Sequence, residues 1–265
     1  MSPQPTTQQP TTRSIDMKTL LRQCYPLALP SNIERYAEPI AACMDRYKIS
    51  TPLRRAHFLA QIGHESGQLR YTEEIASGQA YEGRRDLGNT RPGDGRRFKG
   101  RGLIQLTGRA NYTAYGRAIE REAEILRAPE ILADDAHLAA DVAGWFWDRA
   151  KLNALADQDD VRAITRRING GFNGLSDRAH LLTRAKQALG LRRADSNPHT
   201  RDSDLTVRQI QAALNAAIGA KLREDGVFGP LTMAKVREFQ QRHRLIVDGI
   251  VGPQTEAALR RYVEP

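Results

Sequence analysis

Apolar residues recur at helical spacing through most of the chain, and the clearest case is the segment that begins at Pro52. One face of a helix there carries the apolar or small residues Leu53, Ala56, Leu59, Ala60 and Gly63. Thr51 stands where an N-cap is needed, and Pro52 takes the first helical position, which tolerates the missing N–H. Gly67 is placed to end the helix.

Other segments repeat this pattern, so the sequence predicts a mainly α-helical protein. Residues 31–47, 134–152 and 176–190 are amphipathic, and Ser31 with Glu34 has the spacing of a capping box. Between residues 83 and 108 the pattern changes to a stretch rich in glycine and arginine with the short apolar run "LIQL". That stretch is too long for an ordinary connection, which indicates a functional or a mobile segment.

The pattern also divides the chain into parts. Residues 1–14 are rich in Pro, Gln and Thr and predict a disordered tail. Residues 15–191 form the large helical part, and the polar residues 192–204 lack periodicity and predict a linker. Residues 205–265 then form a small domain of three helices.

This small domain contains an internal repeat. "DGVFGPLTMA" begins at Asp225 and "DGIVGPQTEA" begins at Asp248. In each copy, Asp-Gly predicts a tight turn, the Pro starts a helix, and the Thr falls in its first turn. Thr206 and Gln209 predict a capping box on the preceding helix.

Composition narrows the function classes. The chain has 265 residues, a formal charge of +9 and a pI near 9.8, with most of the positive charge on the larger part. This charge favours an anionic partner, which could be nucleic acid, a membrane surface or an acidic polymer such as a cell wall. No apolar stretch is long enough to span a bilayer, and the N-terminus lacks the apolar region of a secretory signal. Cys24 and Cys43 give no disulfide framework and no zinc spacing, so we expect two buried thiols.

"GHESGQLRYTEE", residues 63–74, holds the candidate chemistry. Glu65 falls at the end of the helix, where the negative end of the dipole disfavours an ionised carboxylate and suits a proton donor. Glu73 and Glu74 follow in a more polar segment. Two carboxylates in different surroundings are what glycoside hydrolysis requires. By themselves, adjacent glutamates are more often solvated surface charge.

Competing chemistries lack their signatures. The histidine spacing does not match a zinc protease, no nucleophile elbow is present, and "GDGRRFKGRG" lacks the residue order of a phosphate-binding loop. Aromatic residues do not interleave with the basic ones, so we expect no nucleic-acid partner. We also expect no metal, no cofactor and no stable membrane insertion.

Two further motifs add polar groups suited to a sugar. In "FKGRGLIQLTGRANY", an extended run would point Gln105 and Thr107 to the same side, with Asn111 following. In "RINGGFNG", Asn169 ends a helix before two glycines, where backbone can approach a ligand closely. Each motif could instead be a turn or a cap, but together they predict the wall of a cleft.

These motifs resemble those of two known kinds of domain. The doubled DG-x-x-GP-x-T motif of residues 205–262 resembles the small helical peptidoglycan-binding domain of cell-wall hydrolases. "FLAQIGHESG", "RYTEE", "FKGRGLIQLTGRANY" and "RINGGFNG" resemble, in this order, the glycoside hydrolases of family 19 in their bacteriophage endolysin form. That family has a lysozyme-like helical fold and cleaves β-1,4 bonds of N-acetylglucosamine polymers by inversion, without metal.

The resemblance implies a role for each matching residue. Glu65 would be the general acid, Glu74 the general base, and Thr107 the residue that holds the water. Because the segment between the two glutamates is short, Glu73 and Glu82 remain alternative bases. The substrate-binding residues implied by the resemblance are His64, Gln105, Asn111, Tyr112, Asn169 and Arg178, the last as a neighbour of the acid.

These inferences predict a monomeric endolysin that hydrolyses peptidoglycan as a muramidase. A chitinase and a lytic transglycosylase remain alternatives within the enzymes, and a non-catalytic wall-binding protein is the alternative of a different class. We expect the protein to stay in the host cytoplasm until it is released to the cell wall.

Overall fold

A computed structural model describes residues 16–191, 205–226 and 228–263, so the predicted tail and linker lie outside the described residues. Within those ranges the protein is helical, with isolated β-bridges and no strand. Its fourteen α-helices there are α1 (Met17–Cys24), α2 (Pro30–Arg46), α3 (Pro52–Glu65), α4 (Asp94–Arg97), α5 (Arg109–Ala118), α6 (Glu122–Arg127), α7 (Ile131–Asp134), α8 (Ala136–Arg149), α9 (Leu152–Asp157), α10 (Val161–Asn169), α11 (Leu175–Ala188), α12 (Val207–Ile218), α13 (Pro230–Arg242) and α14 (Pro253–Leu259). The mainly α-helical prediction is confirmed.

Helix α3 is the centre of the larger part. It begins as predicted, because Thr51 accepts a hydrogen bond from the backbone N–H of Arg54 at 3.2 Å and Pro52 takes the first position. It ends at Glu65, and Gly67 follows with a φ of +57°. Eight consecutive residues, 56–63, are buried, so α3 is enclosed on nearly all sides and packs mainly against α11. Such a helix gives a rigid base to the residues at its end.

Helix α2 begins differently from the prediction. Its first residue is Pro30, its N-cap is Leu29, and no side chain caps it. Ser31 therefore lies inside the first turn, since the proline has already set the helical φ. Glu34 is used elsewhere: it forms ion pairs with Lys18 and Arg22 of α1.

Two hydrophobic clusters are present. The first is built from helices α1–α3 and α5–α11 and from loops between them, and the second from residues 205–259. The capping box of Thr206 and Gln209 on α12 is confirmed. Cys24 and Cys43 are free and buried, as expected, and burial raises the pKa of Cys24 to about 12.

Candidate active site

Glu65 is the last residue of α3 and is fixed from the side by α11. Its carboxylate accepts a hydrogen bond from the guanidinium of Arg178, whose side chain is fully buried. The same guanidinium donates to Oε1 of Gln61, one turn earlier in α3, at 2.5 Å. A positive charge therefore stands beside the carboxylate at the end of this helix, and it acts in the opposite direction to the helix dipole considered from the sequence.

His64 forms a second link between the same two helices. Its Nδ1 lies 2.6 Å from a carboxylate oxygen of Asp177 in the first turn of α11. This hydrogen bond is the main reason why the pKa of Asp177 lies below its usual value. Gly174 packs against the other side of the ring: an added Cβ would lie 2.2 Å from Nε2 of His64, so only glycine fits. The side chains of His64 and Glu65 are therefore both held in place by contacts with α11.

Glu74 lies in the loop after α3 and is held by neutral groups. Its carboxylate accepts hydrogen bonds from the hydroxyl of Tyr81 at 2.9 Å and from the backbone N–H of Gly100 at 3.1 Å. Burial, followed by the contact with Glu74, raises the pKa of Tyr81, so this phenol stays a donor at neutral pH. No basic side chain of the described residues forms an ion pair with the Glu74 carboxylate.

The two alternative bases are occupied. Glu73 accepts from Nε of Arg101 at 2.9 Å and forms a longer ion pair with Lys99. Glu82 accepts from the backbone N–H groups of Gly93 and Gly95, so its carboxylate holds a turn of the loop. Of the three candidates, Glu74 is the carboxylate without a cationic partner or a turn to support.

The run around Gln105 differs from the sequence expectation. Residues 102–105 form turns instead of an extended segment, and Gln105 has a φ of +55°. Arg101 and Leu106 face each other across this turn in a β-bridge, because the apolar residues Leu103, Ile104 and Leu106 are all drawn into the core. The predicted alternation is wrong here.

Gln105, Thr107 and Asn111 nevertheless remain partly accessible. The space beside Gly100 is bounded by Oε1 of Gln105 and by Cβ of Glu74, which puts Gln105 next to the candidate base. The hydroxyl of Thr107 donates to the backbone oxygen of Gln105, and its lone pairs can still accept a hydrogen bond. The side chain of Asn111 donates to the backbone of Thr107.

Two of the residues that the resemblance implies for substrate binding are fully buried. Tyr112 is fully buried, and its hydroxyl donates to the backbone oxygen of Lys99 and accepts from Arg101. It therefore holds the loop and is not placed to touch a substrate. Arg178 is fully buried beside Glu65, which is the position next to the acid that the resemblance implies.

Asn169 is the last residue of α10 and is exposed. Phe172 follows in the same loop, 43% exposed, with the guanidinium of Arg162 4.8 Å from its ring centre. The two residues give this loop an amide and an aromatic face, the groups that commonly contact sugars.

Sequence analysis missed Gln61, Tyr81 and Asp177. Gln61 lies on the side of α3 opposite the predicted apolar face, and it is fully buried because α3 is enclosed on nearly all sides. Tyr81 contacts Glu74, and Asp177 contacts His64, because of how the chain folds between them. The sequence motifs do not predict that path. Among the described residues, no group of three or more His, Cys, Asp or Glu could hold a metal ion, and no helix is long and apolar enough to cross a membrane.

The repeats of the small domain are each held by a buried glutamine. Gln211 of α12 contacts the carboxylate of Asp225, the N–H of Gly226 and the hydroxyl of Thr232. Gln240 of α13 makes the same three contacts in the second repeat, with Asp248, Gly249 and Thr255. The predicted turn, helix start and threonine position are confirmed in both copies.

The second repeat lies against the larger part of the protein. Asp248 accepts a hydrogen bond from Arg162 of α10 at 2.9 Å, and Ile250 packs against the first hydrophobic cluster. Ser176 contacts Met233 nearby. The small domain is therefore seated near the loop that carries Asn169 and Phe172.

Family models match both parts of the chain. Residues 50–172 match the glycoside hydrolase family 19 model, described as chitinase class I, and residues 203–259 match a peptidoglycan binding domain. A family 19 domain-containing protein of Haemophilus influenzae is 31% identical over 183 residues, covering 57% of this chain and 88% of that protein.

Plant and bacterial chitinases are also similar. An endochitinase of Arabidopsis thaliana is 38% identical over 116 residues, which span 44% of this chain and 39% of the plant protein. The crystal structure of chitinase C from Streptomyces griseus superposes with a TM-score of 0.52 at 23% identity, covering 66% of this chain and 76% of that one, and shows a shared fold. The chain belongs to glycoside hydrolase family 19, and is a glycoside hydrolase with a C-terminal peptidoglycan-binding domain.

Proposed function

We propose that this enzyme is an endolysin that hydrolyses the β-1,4 bond between N-acetylmuramic acid and N-acetylglucosamine in peptidoglycan. The observation that supports the proposal most directly is that one chain contains both a family 19 domain and a peptidoglycan-binding domain. A binding domain that holds the insoluble polymer raises the effective concentration of substrate at a catalytic site on the same chain.

The surroundings of the two glutamates support different roles for them. Glu65 sits on a rigid helix end between α3 and α11, so a proton on its carboxyl would be delivered from a fixed position. Glu74 accepts two neutral hydrogen bonds and can take a proton from a water molecule that attacks the opposite face of the sugar. Thr107, with a free lone pair, would orient that water. We propose inversion, with no metal or cofactor in the reaction.

The composition of the digest tests the proposal. Purified sacculi are treated with the full-length enzyme, and the fragments are analysed by mass spectrometry. A reducing N-acetylmuramic acid end is expected. A 1,6-anhydro end would show a lytic transglycosylase, and an intact wall with cleaved chitin oligomers would show a chitinase, the activity for which the plant relatives are named. NMR of the first product should show the α-anomer; a first-formed β-anomer contradicts inversion.

The biological role of the enzyme is proposed separately from its reaction. We propose that the enzyme accumulates in the cytoplasm of a bacterial host as a monomer and lyses the cell once a membrane pore releases it to the wall. Expression of the full chain with and without a separate pore-forming protein tests this. Lysis is expected only with the pore, and lysis by the enzyme alone would contradict the route.

A further inference from the structure

Four arginines surround a pocket that the proposed reaction does not use. The pocket has a volume of about 560 Å³ and is lined by Arg91, Asp94, Arg97, Arg109, Leu126 and Arg127, together with Pro92 and Gly93. It lies between the loop that leads into α4, the start of α5 and the end of α6. A volume of this order is in the range of pockets that hold small ligands.

The single carboxylate of the pocket is already neutralised. Asp94 is buried, and Nε of Arg109 donates to it at 2.9 Å, with a second bond from the same guanidinium. Its remaining acceptor capacity is taken by the backbone N–H of Arg91 at 3.0 Å. The pair of Asp94 and Arg109 therefore forms a fixed, neutral floor.

The other three arginines lack a direct carboxylate partner among the described residues, although Arg127 interacts electrostatically with Glu124. Arg97 is oriented by hydrogen bonds from its guanidinium to the backbone oxygens of Leu126 and Arg127. Arg91 and Arg127 have exposed side chains. In the described ranges of the chain, none of these three forms an ion pair with a carboxylate. A concave surface with three such guanidinium groups attracts an anion, and guanidinium binds carboxylate with paired hydrogen bonds.

Hydrogen bonds connect this pocket to the candidate base. The hydroxyl of Tyr81 donates to Glu74, and the backbone oxygen of Tyr81 accepts from the buried side chain of Asn89 at 3.0 Å. Asn89 in turn accepts from the backbone N–H of Arg109 at 2.8 Å. The pocket and Glu74 thus belong to one hydrogen-bonded loop structure.

We propose that this arginine pocket binds a carboxylate of the peptide stem of peptidoglycan. The inference rests on the proposed function, since it concerns the same substrate. Peptide stems hang from the muramic acid residues beside the cleaved bond and carry free carboxylates, whereas chitin carries neither peptide nor acid. The pocket then makes the enzyme prefer wall glycan that still bears its peptides.

Binding is measured so that cleavage does not interfere. The full-length chain carries Glu65→Gln, and its folding is verified by circular dichroism. Soluble glycan strands with peptide stems are titrated by calorimetry, beside the same strands after an amidase has removed the peptides and the lactyl carboxyl groups that it exposes have been converted to amides. Arg91→Ala with Arg127→Ala is expected to weaken binding of peptide-bearing strands about tenfold, as the loss of charge-assisted hydrogen bonds implies, and to leave stripped strands unaffected.

The matched control removes two exposed arginines elsewhere. Arg35→Ala with Arg149→Ala, on α2 and α8, takes away the same charge and should leave both affinities unchanged. Equal weakening by both double variants would reduce the effect to net charge and overturn the proposal. So would full affinity for strands whose peptide carboxyls have been converted to amides.

The outcome is separable from that of the proposed function. If the wild-type enzyme fails to cut sacculi while the Arg91 and Arg127 variant still loses affinity for peptide-bearing strands, the cleavage proposal fails and the pocket stands. If the wild-type enzyme cuts sacculi and the variant binds both strands like its parent, the pocket proposal fails alone.

Discussion

The catalytic domain and the small C-terminal domain hold their functional segments with different chemistry. In the first, charged groups meet: Arg178 with Glu65, Arg101 with Glu73, and Arg109 with Asp94. In the second, each DG-x-x-GP-x-T turn is tied to a helix by the neutral amide of a buried glutamine, Gln211 or Gln240. Both solutions satisfy buried polar groups, as a folded interior requires.

This difference follows from what each segment does. A catalytic site needs carboxylates, and a partly buried carboxylate needs partners that hold it at one position. A turn that only presents a binding surface has no such need, and a glutamine supplies a donor and an acceptor together. Ion pairs should therefore contribute to the position of Glu65 and to acid stability in one domain, while amide hydrogen bonds decide the integrity of the other.

The largest effect is expected for Glu65→Gln. Loss of an acid or base group typically lowers the rate by about 100- to 10,000-fold, and kcat on soluble wall fragments should fall in this range. Because the substitution leaves the buried Arg178 without its carboxylate partner, the melting temperature should also fall. The activity should therefore be assayed well below the melting temperature of the variant. Asp177→Asn is the control, since it removes only the negative charge of the neighbouring residue that contacts His64. Near-normal turnover by Glu65→Gln would remove this residue from the mechanism.

Glu74→Gln compared with Glu73→Gln tests the base. The two residues are adjacent, yet Glu73 is 43% exposed and paired with Arg101, while Glu74 accepts from Tyr81 and Gly100. We expect Glu74→Gln to lower kcat by about 100-fold or more and Glu73→Gln to change it little. The reverse ranking would make Glu73 the base.

The comparison also shows what the sequence could predict. Helix α3 and its cap, the capping box of α12 and both turn motifs depend on neighbouring residues, and all were predicted. The turn at Gln105 was not, since long-range packing of Leu103, Ile104 and Leu106 overrides the local alternation. Tyr112 was misassigned for a similar reason: the motif gives its position in the chain, and only the folded loop shows that it is buried.

Only part of the candidate active site could be predicted from the sequence. Motifs located Glu65 and Glu74 in the chain, but the groups that surround them come from distant segments. Arg178 reaches Glu65 from α11, and Gly100 reaches Glu74 across a glycine-rich loop. The arginine pocket likewise joins three separate elements. Contacts of this kind depend on the path of the chain, which local pattern does not encode.

Gln240→Leu should damage the C-terminal domain alone. The amide of Gln240 contacts Asp248, Gly249, Ile250 and Thr255, and leucine of similar size replaces none of these hydrogen bonds. The buried groups left without partners should cost about 3 kcal/mol in the free energy of unfolding. Pelleting with sacculi should weaken, while turnover of soluble fragments is retained.

The exposed neighbour provides the control for that substitution. Gln241→Leu changes the same residue type one position later, where the side chain faces solvent. Wall binding and unfolding should be close to those of the parent. If both variants lose pelleting equally, surface contact and not the buried amide explains the loss.

The smallest effect concerns acid stability in the catalytic domain. Burial alone would raise the pKa of Asp159, but hydrogen bonds from His57 and Lys186 outweigh it and lower the pKa to about 2, from an ordinary 3.8. A lowered carboxyl pKa stabilises the fold above the ordinary value, and this stabilisation is lost as the pH falls from about 4 to about 2. The difference between the two pKa values corresponds to about 2 kcal/mol.

Asp159→Asn should thus reduce the free energy of unfolding by about that amount at pH 6 and by much less at pH 2. Asp157→Asn, which breaks a more exposed pair with Arg54, should cost less at pH 6. Urea denaturation across this pH range measures both variants, and a penalty for Asp159→Asn that stays constant between pH 6 and pH 2 would show that its charge is not what stabilises the domain.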